Sequence, residues 1–297
     1  MEFTRTGSVA IMLATLLTGW GPAANAASQK AKAQAEIGPG LKSAAALIVD
    51  ARSGEVIFEH AAGTVSPIAS LTKLMTALVV IDAQQPLDEV IEIKATDRWK
   101  GKGAFSHLPT GAKLTRGDLL RLALMASENL AARTLANNYP GGLAAFVKTM
   151  NAKAKVLGMT RTHFDDPSGL SNLNVSNARD LVKLLNAVAR QQEIREFSTL
   201  RTHEVRLGKR MFLFRNTNLL IGRPDWEILA QKTGFTNDAG QCLVMQTLIE
   251  DRVVDMVFLN SFGKLTRTAD ARRVRKWMAA QSENAAGAGA GTELAKK

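Results

Sequence analysis

The period of the apolar residues changes twice along this 297-residue chain, and that change restricts its fold more than any single residue does. Residues 45–49 and 55–59 are short apolar or alternating runs separated by Asp50-Ala51-Arg52-Ser53-Gly54, the pattern of a β-hairpin. Residues 241–249 and 252–259 are strand-like again and are joined at Glu250-Asp251. Between these ends the pattern is helical. Residues 70–83 carry apolar side chains at 71, 74, 75, 78 and 79, one face of a helix. Thr115-Arg116-Gly117-Asp118 has the form of a capping box before residues 119–126. Residues 129–138 read as a helix stopped by Pro140-Gly141-Gly142; 143–157 and 176–189 follow, the latter with Ser176 as N-cap. Residues 228–235 read as a strand and 267–280 as a helix; the Ala/Gly-rich stretch from 284 reads as disordered. Strands first and last with helices between imply an α+β fold. One antiparallel sheet is built from both chain ends and flanked by helices, with an all-helical subdomain inserted.

The N-terminus points to export. Arg5 precedes an apolar run at residues 9–17, too short to span a bilayer, and Ala24-Asn25-Ala26 has the small-x-small form of a cleavage site. The expected organisation is a signal peptide at 1–26, a linker at 27–40, a catalytic domain at 41–280 and a disordered tail at 281–297. No later segment has the roughly 20 apolar residues of a membrane span, so a periplasmic protein without a stable membrane anchor is expected. The formal charge of +11 favours anionic partners, among them a polyanionic wall. Nucleic acid is not expected, because aromatic and basic residues do not interleave. The single cysteine, Cys242, sits in a strand-like apolar stretch and reads as a small buried hydrophobe. His60, His107, His163 and His203 show no metal-ligand spacing, so no metal and no cofactor is expected.

Three short motifs carry the chemistry. In Ser70-Leu71-Thr72-Lys73, positions i and i+3 share a helix face, so the lysine can reach the serine hydroxyl. Serine needs a base to become a nucleophile, and lysine can be that base only when burial or a second cation lowers its pKa. Pro67 places Ser70 near a helix N-terminus, where developing negative charge is favoured. In Ser127-Glu128-Asn129, a loop serine can relay a proton and Asn129 can hold an amide. In Lys232-Thr233-Gly234, the first two residues can grip a carboxylate, Gly234 lets substrate approach the strand edge, and Lys232 supplies the second cation for Lys73. Each motif alone is weak, as Ser261-Phe262-Gly263-Lys264 and Ser282-Glu283-Asn284 show. Order and element type single out Ser70, Ser127 and Lys232: helix start, interhelical loop, strand.

With these residues the chain resembles the penicillin-binding protein and serine β-lactamase superfamily, whose signatures are S-x-x-K, S-D-N and K-T-G. Glu128 replaces the usual Asp. Residues 67–75, 125–129, 166–170 and 231–235, with Tyr139-Pro140-Gly141-Gly142, are similar to the low-molecular-mass D-alanyl-D-alanine peptidases and, among them, the endopeptidase subgroup. The resemblance implies a serine β-lactamase/DD-peptidase-like fold and a set of roles. Ser70 is acylated, Lys73 is general base, and Ser127 relays a proton to the leaving amine. Asn129, Lys232, Thr233 and Gly234 bind substrate, and the backbone N–H groups of Ser70 and Phe235 form the oxyanion hole. Peptidoglycan stem peptides are the implied substrates and β-lactams the covalent inhibitors. A domain that closes near residue 280 favours the endopeptidase over an anchored D-alanyl-D-alanine carboxypeptidase. A class A β-lactamase lacks its deacylating Glu here, since residues 165–170 read Asp-Asp-Pro-Ser-Gly-Leu. A non-catalytic wall-binding relic is disfavoured by the intact motif residues.

Overall fold

A computed structural model describes residues 38–101 and 105–294; the expected signal peptide lies outside the described residues. The strands are β1 (Ser43–Asp50), β2 (Val56–His60), β3 (Ser66–Pro67), β4 (Val90–Glu92), β5 (Lys113–Thr115), β6 (Val175–Ser176), β7 (Thr202–Leu207), β8 (Arg210–Arg215), β9 (Glu227–Thr236), β10 (Gly240–Ile249) and β11 (Arg252–Ser261). The helices are α1 (Lys73–Asp82), α2 (Arg116–Met125), α3 (Asn129–Asn137), α4 (Gly142–Val156), α5 (Ala178–Val188), α6 (Gln192–Thr199) and α7 (Thr266–Leu294).

The main sheet has the order β2-β1-β11-β10-β9 with antiparallel pairing throughout, so both chain ends do meet in one sheet. The central strands read as continuous apolar runs because both of their faces are covered. Ala45, Leu47, Val49, Val244, Val257 and Leu259 face the helical half, on the side of α5. Ala46, Ile48, Leu243, Met245, Met256 and Phe258 face Ala271, Val274 and Met278 of α7. Chain ends are also tied by a buried carboxylate: Asp270 accepts from the backbone N–H of Ser43 at 2.8 Å and from its hydroxyl at 2.5 Å.

The elements depart from expectation in four places. The stretch from Ser70 begins as a 3-10 turn, Ala69–Thr72, before α1. Ser176 is not the N-cap of α5. It lies in β6, paired with Ser66, and the adjacent Asn177 accepts the N–H of Asp180 instead. The middle of the chain is not all helical, since β3–β6, β4–β5 and the β7–β8 hairpin lie within it. Finally, α7 runs on to Leu294 where a disordered tail was expected. Alanine has the highest intrinsic helix propensity, and an Ala-rich stretch that follows a docked helix can continue its hydrogen bonding.

One buried acid belongs to none of the three motifs. Asp255 of β11 is fully buried; its Oδ1 accepts from Gln246 and its Oδ2 has no partner among the described residues. Burial pushes its carboxyl up to about 6, against the hydrogen bond from Gln246. A carboxyl raised in this way takes up a proton on folding between its ordinary value, about 4, and about 6. Its contribution to stability is therefore lost as pH rises through that window. Asp255→Asn is expected to stabilise the fold by about 2 kcal/mol at pH 7, with the gain vanishing below about pH 4. Urea unfolding of both proteins at the two pH values checks this.

Candidate active site

Ser70 sits on the 3-10 turn where β3 passes into α1, between the edge strand β9 and the segment that precedes β6. The turn is tight. Ala69 adopts φ +48°, a left-handed conformation that non-glycine residues seldom take, and such strain persists only where the surroundings hold it. Two glycines do the holding. A Cβ on Gly169, itself at φ +82°, would lie 1.9 Å from the carbonyl oxygen of Ala69. A Cβ on Gly234 would lie 3.0 Å from Ile68 O and 3.2 Å from Ser70 N. Gly234 was expected to admit substrate to the strand edge. Here the space its missing side chain leaves is filled by the backbone around Ser70.

Lys73 is wholly buried one turn after Ser70. Its Nζ lies 2.7 Å from Ser70 Oγ, and it donates to Asn129 Oδ1 at 2.7 Å and to the backbone carbonyl of Ser168 at 2.6 Å. The last two partners can only accept. A neutral amine thus spends both N–H bonds on them and turns its lone pair to the Ser70 hydroxyl, which then donates. Burial lowers Lys73 to about 7, while the carboxylates of Asp166 and Glu128 oppose the shift. The arrangement can therefore hold a base of the right kind beside Ser70 at neutral pH.

Ser127 occupies the loop between α2 and α3 with φ +60°, a second strained non-glycine residue beside the first. Lys232, fully buried on β9, donates to Ser127 Oγ at 2.8 Å and to the carbonyl of Thr233 at 2.9 Å. Lys232 was expected to lower Lys73. The main cause at Lys73 is burial; the repulsion between cations appears at Lys232, which is held well below the usual lysine value by burial first, then by Lys73 and Arg267. Thr233 is nearly buried, with its hydroxyl 2.6 Å from that of Thr217. Phe235 is half exposed at the end of the same strand segment, beyond Gly234.

Several supports were not visible in the sequence. Asp166 is buried and accepts four hydrogen bonds: from the N–H groups of Ser168 (2.5 Å), Gly169 (2.9 Å) and Ser171 (2.6 Å), and from the Ser168 hydroxyl (2.6 Å). It thereby fixes the Ser168 carbonyl that Lys73 uses. Asn174 ties the same loop to Thr72 at 2.9 Å. Glu128, which stands where the usual motif has Asp, caps α3 at Leu130 N–H and accepts from the Ser106 hydroxyl and His107 N–H. Arg267 on α7 donates to the carbonyls of Gly234 (2.6 Å) and Cys242 (3.0 Å), adding positive charge near Lys232. The Asp-Pro-Ser-Gly run signals a loop from sequence; no local signal marks Arg267. The second S-x-x-K serine, Ser261, ends β11 and bonds to Ser43, and Cys242 is buried with its thiol pushed up to about 11.

A family model described as D-alanyl-D-alanine carboxypeptidase matches residues 29–263. The chain is 45% identical over 273 residues to a D-alanyl-D-alanine endopeptidase of Escherichia coli, spanning 91% of this chain and 86% of that one. It is 48% identical over 254 residues to a D-alanyl-D-alanine endopeptidase of Pseudomonas aeruginosa, spanning 85% and 82%. Among solved structures, penicillin-binding protein D2 of Listeria monocytogenes in its cefotaxime-bound form superposes with a TM-score of 0.71 at 29% identity, covering 80% of this chain and 97% of that one.

Proposed function

The chain belongs to the D-alanyl-D-alanine carboxypeptidase family of serine peptidases, and from that premise we propose that it hydrolyses D-alanyl bonds of peptidoglycan as an endopeptidase, cutting D-Ala-diaminopimelate cross-links. The observation that carries the chemistry is Lys73 Nζ, 2.7 Å from Ser70 Oγ with its two other contacts on carbonyl oxygens. Neutral Lys73 takes the hydroxyl proton as Ser70 Oγ attacks the D-Ala carbonyl. The oxyanion is held by the backbone N–H groups of Ser70 and Phe235. Ser127, hydrogen-bonded to Lys232, gives its hydroxyl proton to the departing amine and regains one from protonated Lys73; the C–N bond breaks, an acyl ester remains on Ser70, and Lys73 is neutral again. Water, deprotonated by Lys73, hydrolyses the ester and frees Ser70. Asn129 holds the peptide, and the carboxylate beside the scissile bond lies against Lys232 and Thr233, where Arg267 adds positive charge.

β-Lactams acylate the same serine in this reading, in keeping with the cefotaxime-bound neighbour. The protein acts outside the cytoplasm, exported by residues 1–26 and joined through a linker at 27–40 to a catalytic domain at 41–280. Among the described residues no helix is long and apolar enough to cross a membrane. Removal of a terminal D-Ala is the competing reading, and the family description names it. Digestion of purified sacculi with mass spectrometry of the products separates the two. Cross-linked dimers are expected to fall to monomers with Ser70 present and to persist with Ser70→Ala. Loss of terminal D-Ala alone would replace endopeptidase with carboxypeptidase, and full activity in Ser70→Ala would remove the mechanism.

A further inference from the structure

Beside Asn129 lies a pocket lined by Arg98, Trp99, Ser106, Asn129, Leu130 and Arg133. Its two guanidinium groups are held in place by neutral partners. Arg133 follows Asn129 by one helical turn on α3, so the two side chains share a face. Its Nε donates to the carbonyl of Asp97 at 2.8 Å, and its guanidinium carbon stands 5.2 Å from the centre of the Trp99 ring. Arg98 donates through Nε to Thr110 (3.2 Å) and through Nη2 to the carbonyl of Leu108 (3.0 Å). Neither arginine has a carboxylate partner among the described residues.

The nearby acids are committed elsewhere. Asp97 spends its oxygens on Lys94 N–H, Thr134 and Asn137, and Glu128 spends its own on Ser106, His107 N–H and Leu130 N–H. Arg133 therefore keeps both terminal nitrogens, and Arg98 one, without a protein acceptor among the described residues. A partly desolvated guanidinium with free N–H pairs, backed by an aromatic ring, is the usual binder of a planar anion.

We propose that this pocket is a second anion subsite, which binds a carboxylate of the peptidoglycan stem peptide other than the one beside the scissile bond. The proposal rests on the peptidase reading for the identity of the ligand, and its geometry is independent of that reading. It gives the enzyme two points at which an anion can be held: Lys232 with Thr233 on β9, and Arg133 with Arg98 one helical turn beyond Asn129 on α3. A cross-linked substrate carries carboxylates on both of its peptides and can engage both points. A short terminal peptide has fewer to offer.

Calorimetric titration of the full protein with the stem peptide L-Ala-D-Glu-diaminopimelate, and with the same peptide amidated at its carboxylates, tests this without turnover. The acid form is expected to bind the unmodified protein about tenfold more tightly than the amide. Arg98→Gln with Arg133→Gln is expected to erase that difference while labelled penicillin still acylates Ser70 within about twofold of the unmodified rate. Equal binding of acid and amide by the unmodified protein overturns the subsite, whether or not the variant folds. A preference that survives the double substitution also overturns it, because the Lys232 end then accounts for the discrimination. Failure of penicillin to label Ser70, with sacculi left uncut, would instead remove the peptidase reading and leave the binding comparison intact.

Discussion

Lys73→Gln is expected to slow acylation of Ser70 by labelled penicillin by about 10³-fold, the contribution of a well-placed general base. The replacement amide offers two N–H donors toward Asn129 Oδ1 and the Ser168 carbonyl on a side chain one bond shorter, and urea unfolding of the variant checks that the fold survives. What disappears is the lone pair that faces the Ser70 hydroxyl. The pH profile supplies the control. Burial lowers Lys73 to about 7, so its neutral fraction falls about tenfold for each unit of pH below that value. Acylation by the unmodified protein should rise with pH and level off above about 7, and the residual rate of Lys73→Gln should lack that limb. An acylation rate independent of pH between about 5 and 8 in the unmodified protein would assign the base elsewhere.

Gly169→Ala should be the most damaging Gly→Ala change among the described residues. The added Cβ would stand 1.9 Å from the carbonyl oxygen of Ala69, and backbone cannot swing aside as a flexible side chain can. The position also has φ +82°, which L residues avoid. A loss of about 3–5 kcal/mol in urea unfolding is expected, with acylation falling in parallel as the turn carrying Ser70 is displaced. Gly54→Ala isolates the conformational part. Gly54 shares the positive φ, at +76°, but has nothing within 4 Å of the added carbon, so a loss of only about 1 kcal/mol is expected. Equal losses at the two sites would mean that the contact between Gly169 and Ala69 does not govern the turn.

The parts of the site that were legible in the sequence are those whose geometry is local. Ser70 and Lys73 meet because three residues make one turn of helix, and Lys232, Thr233 and Gly234 occupy consecutive positions of one strand. The sheet was legible for a similar reason: short strand-like runs at both ends of the chain implied one sheet flanked by helices, and α5 and α7 cover its two faces. Errors fell where two local signals competed. Ser176 and Asn177 are both good N-caps, and the pairing of Ser176 with Ser66 left the cap to Asn177. The β7–β8 hairpin carries no strong signal in the sequence, because its alternation is weak and Met211 and Leu213 are exposed.

By itself, then, the sequence determined that strands from both chain ends enclose a largely helical middle, and which residues can do acyl-transfer chemistry, since each follows from spacing along a few residues. The tertiary structure alone decided whether Ser70 can be a nucleophile. The carbonyl acceptors that aim the Lys73 lone pair come from positions 56 and 95 residues away, Asp166 fixes one of them, and Gly234 and Gly169 close the turn from two separate segments. Burial that lowers a lysine and contacts that set a hydroxyl against it are properties of the space between segments. No pattern within a single segment encodes them.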